Sequence, residues 1–138
     1  MPTRTFRASE EWVIQIKEGA GANPRVLVVD DDPDTLVFLG KLLSQIPVDA
    51  IPTASCATAR YAITTLGQFD IVIADKVLPD GDGAELAAEF QRNHGCRTVI
   101  ISGHDEPHDG LPDGIDLWVC KPVDLKRLKK ALLALAAK

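Results

Sequence analysis

The sequence predicts an α/β protein built on a single doubly wound sheet of five parallel strands. Two features predict this fold: apolar runs of strand length recur along the chain, and most segments between them carry apolar residues at helical spacing. This alternation is typical of a parallel sheet that is covered by helices on both faces. The chain has 138 residues, a length that suits one domain with a substantial core.

Each predicted strand is a short apolar run that ends in polar or turn-forming residues. The first contains the uninterrupted apolar sequence Val26-Leu27-Val28-Val29 and is followed by Asp30. The third contains Ile71-Val72-Ile73-Ala74 and is followed by Asp75. The five predicted strands are residues 25–29, 49–52, 70–74, 98–102 and 117–120.

Helices are predicted where apolar residues recur every three or four positions. The first begins near Asp32 and Pro33, because Asp is a favoured N-cap residue and Pro is favoured at the first helical position. The other three are expected at residues 55–66, 84–93 and 124–137. The side chains predicted to face the core are Leu36, Leu39, Leu43, Ile46, Ala59, Ala62, Ile63, Leu66, Leu86, Phe90, Leu125, Leu128, Leu132 and Leu135.

Two segments interrupt the alternation of strands and helices. Residues 1–24 form an N-terminal extension, in which residues 12–16 alternate as a short strand would and residues 19–24 resemble a linker. Residues 104–114 lie where a fourth helix is due, but Pro and Gly residues recur there and make a regular helix improbable. We therefore predict an extension at residues 1–24 and one domain at residues 25–138 with a degenerate fourth helix.

Composition and charge exclude several functions. The formal net charge of −5 argues against a nucleic-acid surface, because phosphate binding needs a basic field. No apolar stretch reaches the roughly 20 residues that span a bilayer, and the N-terminus lacks a signal-peptide pattern. We expect a cytoplasmic protein without direct nucleic-acid or membrane contact. Cys56, Cys96 and Cys120 are odd in number and widely spaced, so we interpret them as buried apolar residues and predict no disulfide framework.

Acidic residues follow two of the predicted strands. Asp30 and Asp31 come directly after the first strand, and Asp75 comes directly after the third. Because ligands of open parallel sheets bind at the carboxyl ends of the strands, we expect these side chains to converge. Carboxylates at close quarters repel one another, and a hard cation such as Mg²⁺ relieves that repulsion. The sequence therefore predicts a magnesium site at this edge of the sheet.

Two further polar residues are expected at the same edge. Ser102 ends the fourth predicted strand, and Lys121 follows the fifth. A hydroxyl and an ammonium group suit phosphoryl oxygens, whose charge must be neutralised while the group is transferred. Together with the three acids, these residues predict a site that accepts a phosphoryl group.

These residues occur in an ordered set of motifs that resembles a response-regulator receiver domain, the phosphoacceptor module of two-component signalling, of the chemotaxis-regulator-like type. The resemblance covers about residues 25–138 and implies a flavodoxin-like (βα)5 fold. The motifs that carry it are Val28-Val29-Asp30-Asp31, Asp75 with Leu78-Pro79 and Asp82-Gly83, Ser102-Gly103, and Lys121-Pro122.

The resemblance implies a role for each residue of the acidic site. Asp75 would take a phosphoryl group from the phosphohistidine of a histidine kinase or phosphotransfer protein, and the domain would then switch its interaction with an unknown downstream protein. Asp31, Asp75 and the backbone carbonyl of Val77 would bind Mg²⁺, with Asp30 acting mainly through a bound water. Lys121 would pair with the phosphoryl group.

The resemblance also implies a switch and a control of hydrolysis. Ser102 would bind the phosphoryl group when the domain switches, and the bond between Lys121 and Pro122 would be cis. Trp118 stands where the family usually has a rotating Tyr or Phe, although it is equally compatible with plain core packing. Val77 and His104 would flank the path of the hydrolytic water, and the apolar Val77 predicts slow self-dephosphorylation.

Two other functions remain open at this point. A phosphohydrolase of the haloacid-dehalogenase type is one alternative, because Asp30-Asp31-Asp32-Pro33 nearly matches its Asp-x-Asp-x-Thr/Val signature. However, Asp34 stands where Thr or Val belongs, and little length is left for a substrate cap. The second alternative is a receiver-like interaction module that is never phosphorylated. On the first interpretation the protein is not an enzyme that turns over a substrate, since it catalyses only its own phosphorylation and dephosphorylation.

Overall fold

The computed structural model describes residues 23–136 and contains a five-stranded parallel sheet, as the sequence predicts. The predicted strand at residues 12–16 lies outside the described residues. A separate pair of two-residue strands follows the third strand. In chain order the strands are β1 (Arg25–Val29), β2 (Asp49–Thr53), β3 (Ile71–Asp75), β4 (Val77–Leu78), β5 (Gly81–Asp82), β6 (Arg97–Ser102) and β7 (Leu117–Cys120).

The order of strands across the main sheet is β2-β1-β3-β6-β7, with every neighbouring pair parallel. The chain runs from β1 outward to β2 and then returns to the other side of β1 to form β3. This reversal makes the crevice between the ends of β1 and β3 the point where a ligand site is expected in such a sheet. In the register of the sheet, Val29 lies beside Ala74 and Asp75 lies beside Ile101.

Three of the four described helices connect strands and the fourth follows β7, and their bounds are close to those predicted. They are α1 (Pro33–Leu43), α2 (Cys56–Leu66), α3 (Gly83–His94) and α4 (Leu125–Ala136). Asp32 caps α1 by accepting a hydrogen bond from the backbone N–H of Asp34 at 3.0 Å, which confirms the predicted helix start. Ser55 and Thr58 form a reciprocal capping box at the start of α2. No described helix is long and apolar enough to cross a membrane.

The helices bury apolar side chains on both faces of the sheet. On one face, α1 and α4 pack residues such as Leu39 and Leu128 against Val28 and Ile101. On the other face, α2 and α3 pack residues such as Ile63 and Phe90 against the sheet. Two apolar layers of this kind account for most of the favourable free energy of folding.

Two residues that the sequence predicts to be buried, Leu66 and Cys120, are more exposed than expected. Leu66 is 45% exposed, because it is the last residue of α2 and the chain turns away at Gly67, where φ is 87°. Cys56 and Cys96 are buried as expected, but Cys120 is only partly buried. Its Sγ lies 3.5 Å from the carbonyl oxygen of His104, on the side where the fourth helix is missing.

The segment between β6 and β7 contains no helix, which confirms the prediction from its Pro and Gly residues. Polar contacts to neighbouring elements hold it instead. The hydroxyl of Thr98 donates to the carbonyl oxygen of Gly114, and Asp116 Oδ2 accepts hydrogen bonds from Thr98 N at 2.9 Å and from Gln91 Nε2 at 2.8 Å. At Gly114, where φ is 83°, a Cβ would lie 2.7 Å from the Cβ of Ala88 on α3. The loop therefore lies close against α3.

The loop after Asp75 contains a pair of short strands that the sequence does not predict. β4 and β5 pair antiparallel, with Val77 beside Asp82 and Leu78 beside Gly81. The residues Pro79 and Asp80 form the turn between them, for which both residue types are well suited. This small hairpin connects the end of β3 directly to the start of α3.

Candidate functional site

Three carboxylates meet at the carboxyl edge of the central strands. Asp30 and Asp31 follow β1, and Asp75 is the last residue of β3, which is the neighbour of β1 in the sheet. One oxygen from each side chain lies within 4.8 Å of the other two. The predicted convergence of the acids is confirmed, although convergence alone does not assign them a ligand.

Asp30 is the most deeply buried of the three acids. It is 1% exposed, and its Oδ1 accepts a hydrogen bond from the backbone N–H of Asp32 at 2.9 Å. Its Oδ2 is buried and has no hydrogen-bond partner within the part of the chain that the structure describes. A buried carboxylate oxygen without a hydrogen-bond partner destabilises the folded state. We therefore expect this oxygen to bind a cation or a hydrogen-bond donor.

The electrostatics of Asp30 agree with this geometry. Burial raises the pKa of the Asp30 carboxyl above its ordinary value, while the hydrogen bond from Asp32 opposes the shift. The negative charges of Asp75 and Asp31 act in the same direction as burial. A divalent cation bound between the three acids would favour the charged carboxylate and so oppose both causes, and oxygen ligands of this kind are those that Mg²⁺ prefers.

Lys121 brings a positive charge to the same place. Its Nζ lies 3.0 Å from Asp75 Oδ2, and the two side chains are 37% and 12% exposed. The backbone N–H of Lys121 donates to the carbonyl oxygen of Ser102 at 2.7 Å, which anchors the residue at the end of β6. The peptide bond between Lys121 and Pro122 is cis, as the resemblance implies.

Ser102 is the last residue of β6 and is 3% exposed. Its Oγ accepts a hydrogen bond from the backbone N–H of His104 at 3.1 Å. The carbonyl oxygen of the same His104 accepts a hydrogen bond from the indole N–H of Trp118 at 2.9 Å. The structure thus brings the predicted hydroxyl, His104 and the predicted switch aromatic into one chain of contacts.

Val77 lies two residues after Asp75, at the start of β4. Its side chain is 71% exposed, and its backbone N–H lies 3.4 Å from Asp75 Oδ1. This contact places Val77 beside the acidic cluster. Its influence on an approaching water stays a prediction.

The family of the chain follows from comparison with known proteins. Residues 26–133 match the family described as the response regulator receiver domain. The chain belongs to this family. It is 34% identical over 112 residues to the two-component response regulator ORR26 of Oryza sativa subsp. japonica, covering 76% of this chain and 19% of that protein. With the two-component response regulator ARR11 of Arabidopsis thaliana it shares 33% identity over 122 residues, covering 81% of this chain and 23% of that protein.

Solved structures show the same fold. The receiver domain of Francisella response regulator 1452 is similar with a TM-score of 0.73 and 26% identity, covering 83% of this chain and 97% of that one. A two-component response regulator from Clostridium difficile gives a TM-score of 0.74 at 23% identity, covering 82% of this chain and 95% of that one. The receiver domain described here spans about a fifth of the length of the plant relatives.

Sequence reasoning missed the helix-capping roles of two acids in the loop after Asp75. Asp80, in the turn between β4 and β5, accepts hydrogen bonds from the backbone N–H groups of Cys56 at 2.8 Å and Ala57 at 3.0 Å. These contacts hold the pKa of the Asp80 carboxyl below its ordinary value. Asp80 therefore caps α2 from a distant part of the chain, and no local sequence signal marks that contact.

Asp82 is the second missed residue. Its Oδ1 accepts a hydrogen bond from the backbone N–H of Ala84 at 2.7 Å, and its Oδ2 pairs with the ammonium group of Lys76. It is the N-cap residue of α3. An Asp two residues before the helix start predicted at residue 84 is a recognisable capping signal, so this role could have been found from the sequence.

Gly83 sets the distance between α3 and the backbone of Asp75. A Cβ at Gly83 would lie 1.8 Å from the carbonyl oxygen of Asp75 and 2.8 Å from its carbonyl carbon. The backbone N–H of Gly83 also donates to the carbonyl oxygen of Lys76 at 2.8 Å. Only a residue without a side chain permits this approach, which fixes the peptide that carries the Asp75 carboxylate.

Proposed function

We propose that this receiver domain accepts a phosphoryl group on Asp75 from the phosphohistidine of a histidine kinase or phosphotransfer protein. The observation that carries the proposal is the environment of Asp75: a lysine ammonium 3.0 Å from one oxygen and two further carboxylates within 4.8 Å, one with an unpartnered buried oxygen. Phosphorylation would change the affinity for an unidentified downstream protein. Membership of the receiver-domain family supports this reaction.

In the proposed reaction an oxygen of the Asp75 carboxylate attacks the phosphorus atom of phosphohistidine. A P–O bond forms and the P–N bond breaks, so the imidazole nitrogen leaves with the electron pair and then takes a proton from solvent. Lys121 neutralises the charge on the phosphoryl oxygens as the group moves, which is the main way that proteins accelerate phosphoryl transfer. Asp75 becomes an acyl phosphate, and water later regenerates the carboxylate.

Asp31 and Asp75 would hold Mg²⁺ directly, and Asp30 would act mainly through a bound water. The backbone carbonyl of Val77 is the remaining ligand that the resemblance implies. The fit is supported by the oxygen chemistry of the three acids and by the buried Oδ2 of Asp30. When bound, Mg²⁺ supplies positive charge that reduces the repulsion between the carboxylates and the incoming phosphoryl group.

The remaining predicted residues receive roles that the local contacts support. Ser102 would turn its hydroxyl from the His104 N–H towards the phosphoryl group, and Trp118 would respond through its own bond to His104. Val77 and His104 would limit access of the hydrolytic water. We propose a cytoplasmic signalling domain that modifies only itself, without direct contact with nucleic acid or membrane.

A small phosphodonor tests the proposed reaction. The protein is incubated with acetyl phosphate and Mg²⁺, and its intact mass is then measured. We expect one phosphoryl addition, which is absent from Asp75→Asn and present in the control Asp109→Asn, since Asp109 is an exposed acid of the loop between β6 and β7. Chelation of Mg²⁺ with EDTA should abolish the addition.

The two alternative functions give different results in the same experiment. When a phosphate monoester replaces acetyl phosphate, continued release of inorganic phosphate from the ester would indicate a phosphohydrolase. The absence of any addition, also with a phosphorylated histidine phosphotransfer protein as donor, would indicate an interaction module that is not phosphorylated. Either result contradicts the proposed function.

A further inference from the structure

Arg127 reaches back from α4 to the segment that carries Lys121. Its Nη1 donates to the carbonyl oxygen of Cys120 at 3.3 Å and to the carbonyl oxygen of Pro122 at 3.2 Å. These two residues stand on either side of Lys121 in the chain. One guanidinium group therefore spans the backbone from which the Lys121 side chain projects.

Arg127 lies at a position of α4 where a positive charge is normally unfavourable. It is the third residue of α4, and a cation in the first turn is disfavoured by the positive end of the helix dipole. Asp124 Oδ1 accepts a hydrogen bond from the backbone N–H of Arg127 at 2.7 Å. This bond holds the backbone from which the Arg127 side chain projects. The two carbonyl oxygens then provide the negative partial charge that makes this position favourable.

We propose that Arg127 is a positioning residue that holds Lys121 in place for phosphoryl transfer. This inference rests on the proposed function of Asp75. Lys121 already has two anchors, its backbone N–H on Ser102 and its Nζ on Asp75. Arg127 adds a third, because it fixes the carbonyl groups before and after Lys121. The ammonium of a long, flexible side chain is thereby kept 3.0 Å from the Asp75 carboxylate.

The chemistry of the contact favours arginine over lysine. Both carbonyl oxygens accept from Nη1, whose two N–H groups the planar guanidinium holds in a fixed geometry. A lysine at this position has a single ammonium on a flexible stem and replaces the contact in part. Arg127→Lys should therefore lie between wild type and Arg127→Ala in any measurement that reports on Lys121.

The test is a double-mutant cycle on the rate of phosphorylation by acetyl phosphate with Mg²⁺. We expect Arg127→Ala to react roughly tenfold more slowly than wild type, since small misplacements of a catalytic group can cost up to about 100-fold. Arg127→Lys should recover part of the rate, and the matched control Lys126→Ala should keep the wild-type rate. In a Lys121→Ala background, the further change Arg127→Ala should have no effect.

A role in folding alone gives a different pattern. Arg127→Ala would then slow Lys121→Ala by the same factor as it slows wild type, and that result would overturn the inference. A wild-type rate for Arg127→Ala would also overturn it. If wild type itself takes no phosphoryl group, the proposed function of Asp75 fails.

Positioning of Lys121 can also be measured without phosphoryl transfer. NMR relaxation of the Lys121 side chain in the metal-free protein should show increased motion in Arg127→Ala and unchanged motion in Lys126→Ala. Unchanged motion in both variants contradicts the positioning role. This measurement separates a failure of the inference from a failure of the proposed function.

Discussion

The indole N–H of Trp118 donates a hydrogen bond to the carbonyl oxygen of His104 at 2.9 Å. On the other side of the same residue, the backbone N–H of His104 donates to Ser102 Oγ at 3.1 Å. His104 therefore connects the hydroxyl at the acidic site to an aromatic ring on β7 through its backbone alone. A χ1 rotation that moves Ser102 Oγ away from the His104 N–H would break that bond, and the bond from Trp118 would then adjust.

This connection predicts a signal at Trp118 when the site is phosphorylated. We expect the NMR resonance of the Trp118 indole N–H to shift on treatment with acetyl phosphate and Mg²⁺, because loss of the Ser102 bond frees the His104 peptide to move. The other tryptophan is Trp12, so Trp12→Phe assigns the signals. The shift should be absent in Ser102→Ala. A shift of equal size in that variant would show that Trp118 responds by another route.

The exposed side chain of Val77 predicts the lifetime of the phosphorylated state. An apolar group beside the acceptor cannot bind the attacking water, whereas an amide can. We expect Val77→Asn to hydrolyse its acyl phosphate roughly two- to tenfold faster, which is the rate equivalent of one ordinary hydrogen bond. The decay of the phosphorylated mass after removal of acetyl phosphate measures this rate.

A steric control accompanies that measurement. Val77→Thr keeps the branched shape and adds one hydroxyl, so its decay should lie between those of wild type and Val77→Asn. Equal lifetimes in all three proteins would show that the side chain two residues after Asp75 does not control access of water.

Much of the fold and of the site could be predicted because the deciding signals are local. Asp30 and Asp75 were found because each directly follows an apolar strand, and parallel strands end at a common edge. The missing helix followed from Pro and Gly residues within a single segment. Capping of α1 by Asp32 was likewise visible in consecutive residues.

The unpredicted contacts join distant parts of the chain or depend on the path of a loop. Asp80 accepts a hydrogen bond from the backbone N–H of Cys56, 24 positions earlier in the chain. No local sequence pattern near either residue predicts this contact. Arg127 binds carbonyl oxygens, which every residue has, so its partners are set by the route of the backbone between β7 and α4.

The unpartnered oxygen of Asp30 predicts a stabilising substitution in the metal-free protein. Asp30→Asn removes a buried charge and two repulsions, while its amide oxygen still accepts the hydrogen bond from Asp32. We expect the free energy of unfolding in EDTA to rise by about 1–2 kcal/mol. Added Mg²⁺ should stabilise Asp30→Asn less than wild type, because the variant keeps the two direct ligands Asp31 and Asp75 but loses the charge of Asp30.

Urea unfolding with and without Mg²⁺ measures both effects. Asp109→Asn removes the same charge from an exposed loop position and serves as the control, with wild-type stability and a normal response to Mg²⁺. Loss of stability in metal-free Asp30→Asn would show that the buried carboxylate has a partner that favours its charged form.

The close approach of Gly83 to Asp75 predicts a strong effect of adding one methyl group. A Cβ at residue 83 meets the Asp75 backbone at 1.8 Å, so the start of α3 or the end of β3 has to move. We expect Gly83→Ala to lose at least about 2 kcal/mol of unfolding free energy. An added Cβ at the exposed Gly40 of α1 would meet no atom of residues 23–136 within 4 Å, apart from its chain neighbours and the backbone of its own helix. Gly40→Ala should therefore gain roughly 0.5–1 kcal/mol.

Chemical unfolding of the two alanine variants decides this prediction. The same Gly→Ala change is compared at Gly83 and Gly40, which differ in the space available for an added Cβ. Similar free energies of unfolding for Gly83→Ala and wild type would show that the peptide of Asp75 moves easily, and the acceptor carboxylate would then not be held by α3.

Asp80 predicts a dependence of stability on pH. The N–H groups of Cys56 and Ala57 lower the pKa of its carboxyl, so the charged form stabilises the folded state. This contribution is fully present above the unfolded-state pKa of about 3.9, and it is lost as the pH falls through the lower folded-state value. Asp80→Asn keeps the size of the side chain but not the charge. Its urea midpoint should be lower than that of wild type at pH 7, and the difference should shrink below about pH 4. The control Asp109→Asn should show no such dependence, and a constant deficit of Asp80→Asn across this range would contradict the assignment of Asp80 as a charged cap of α2.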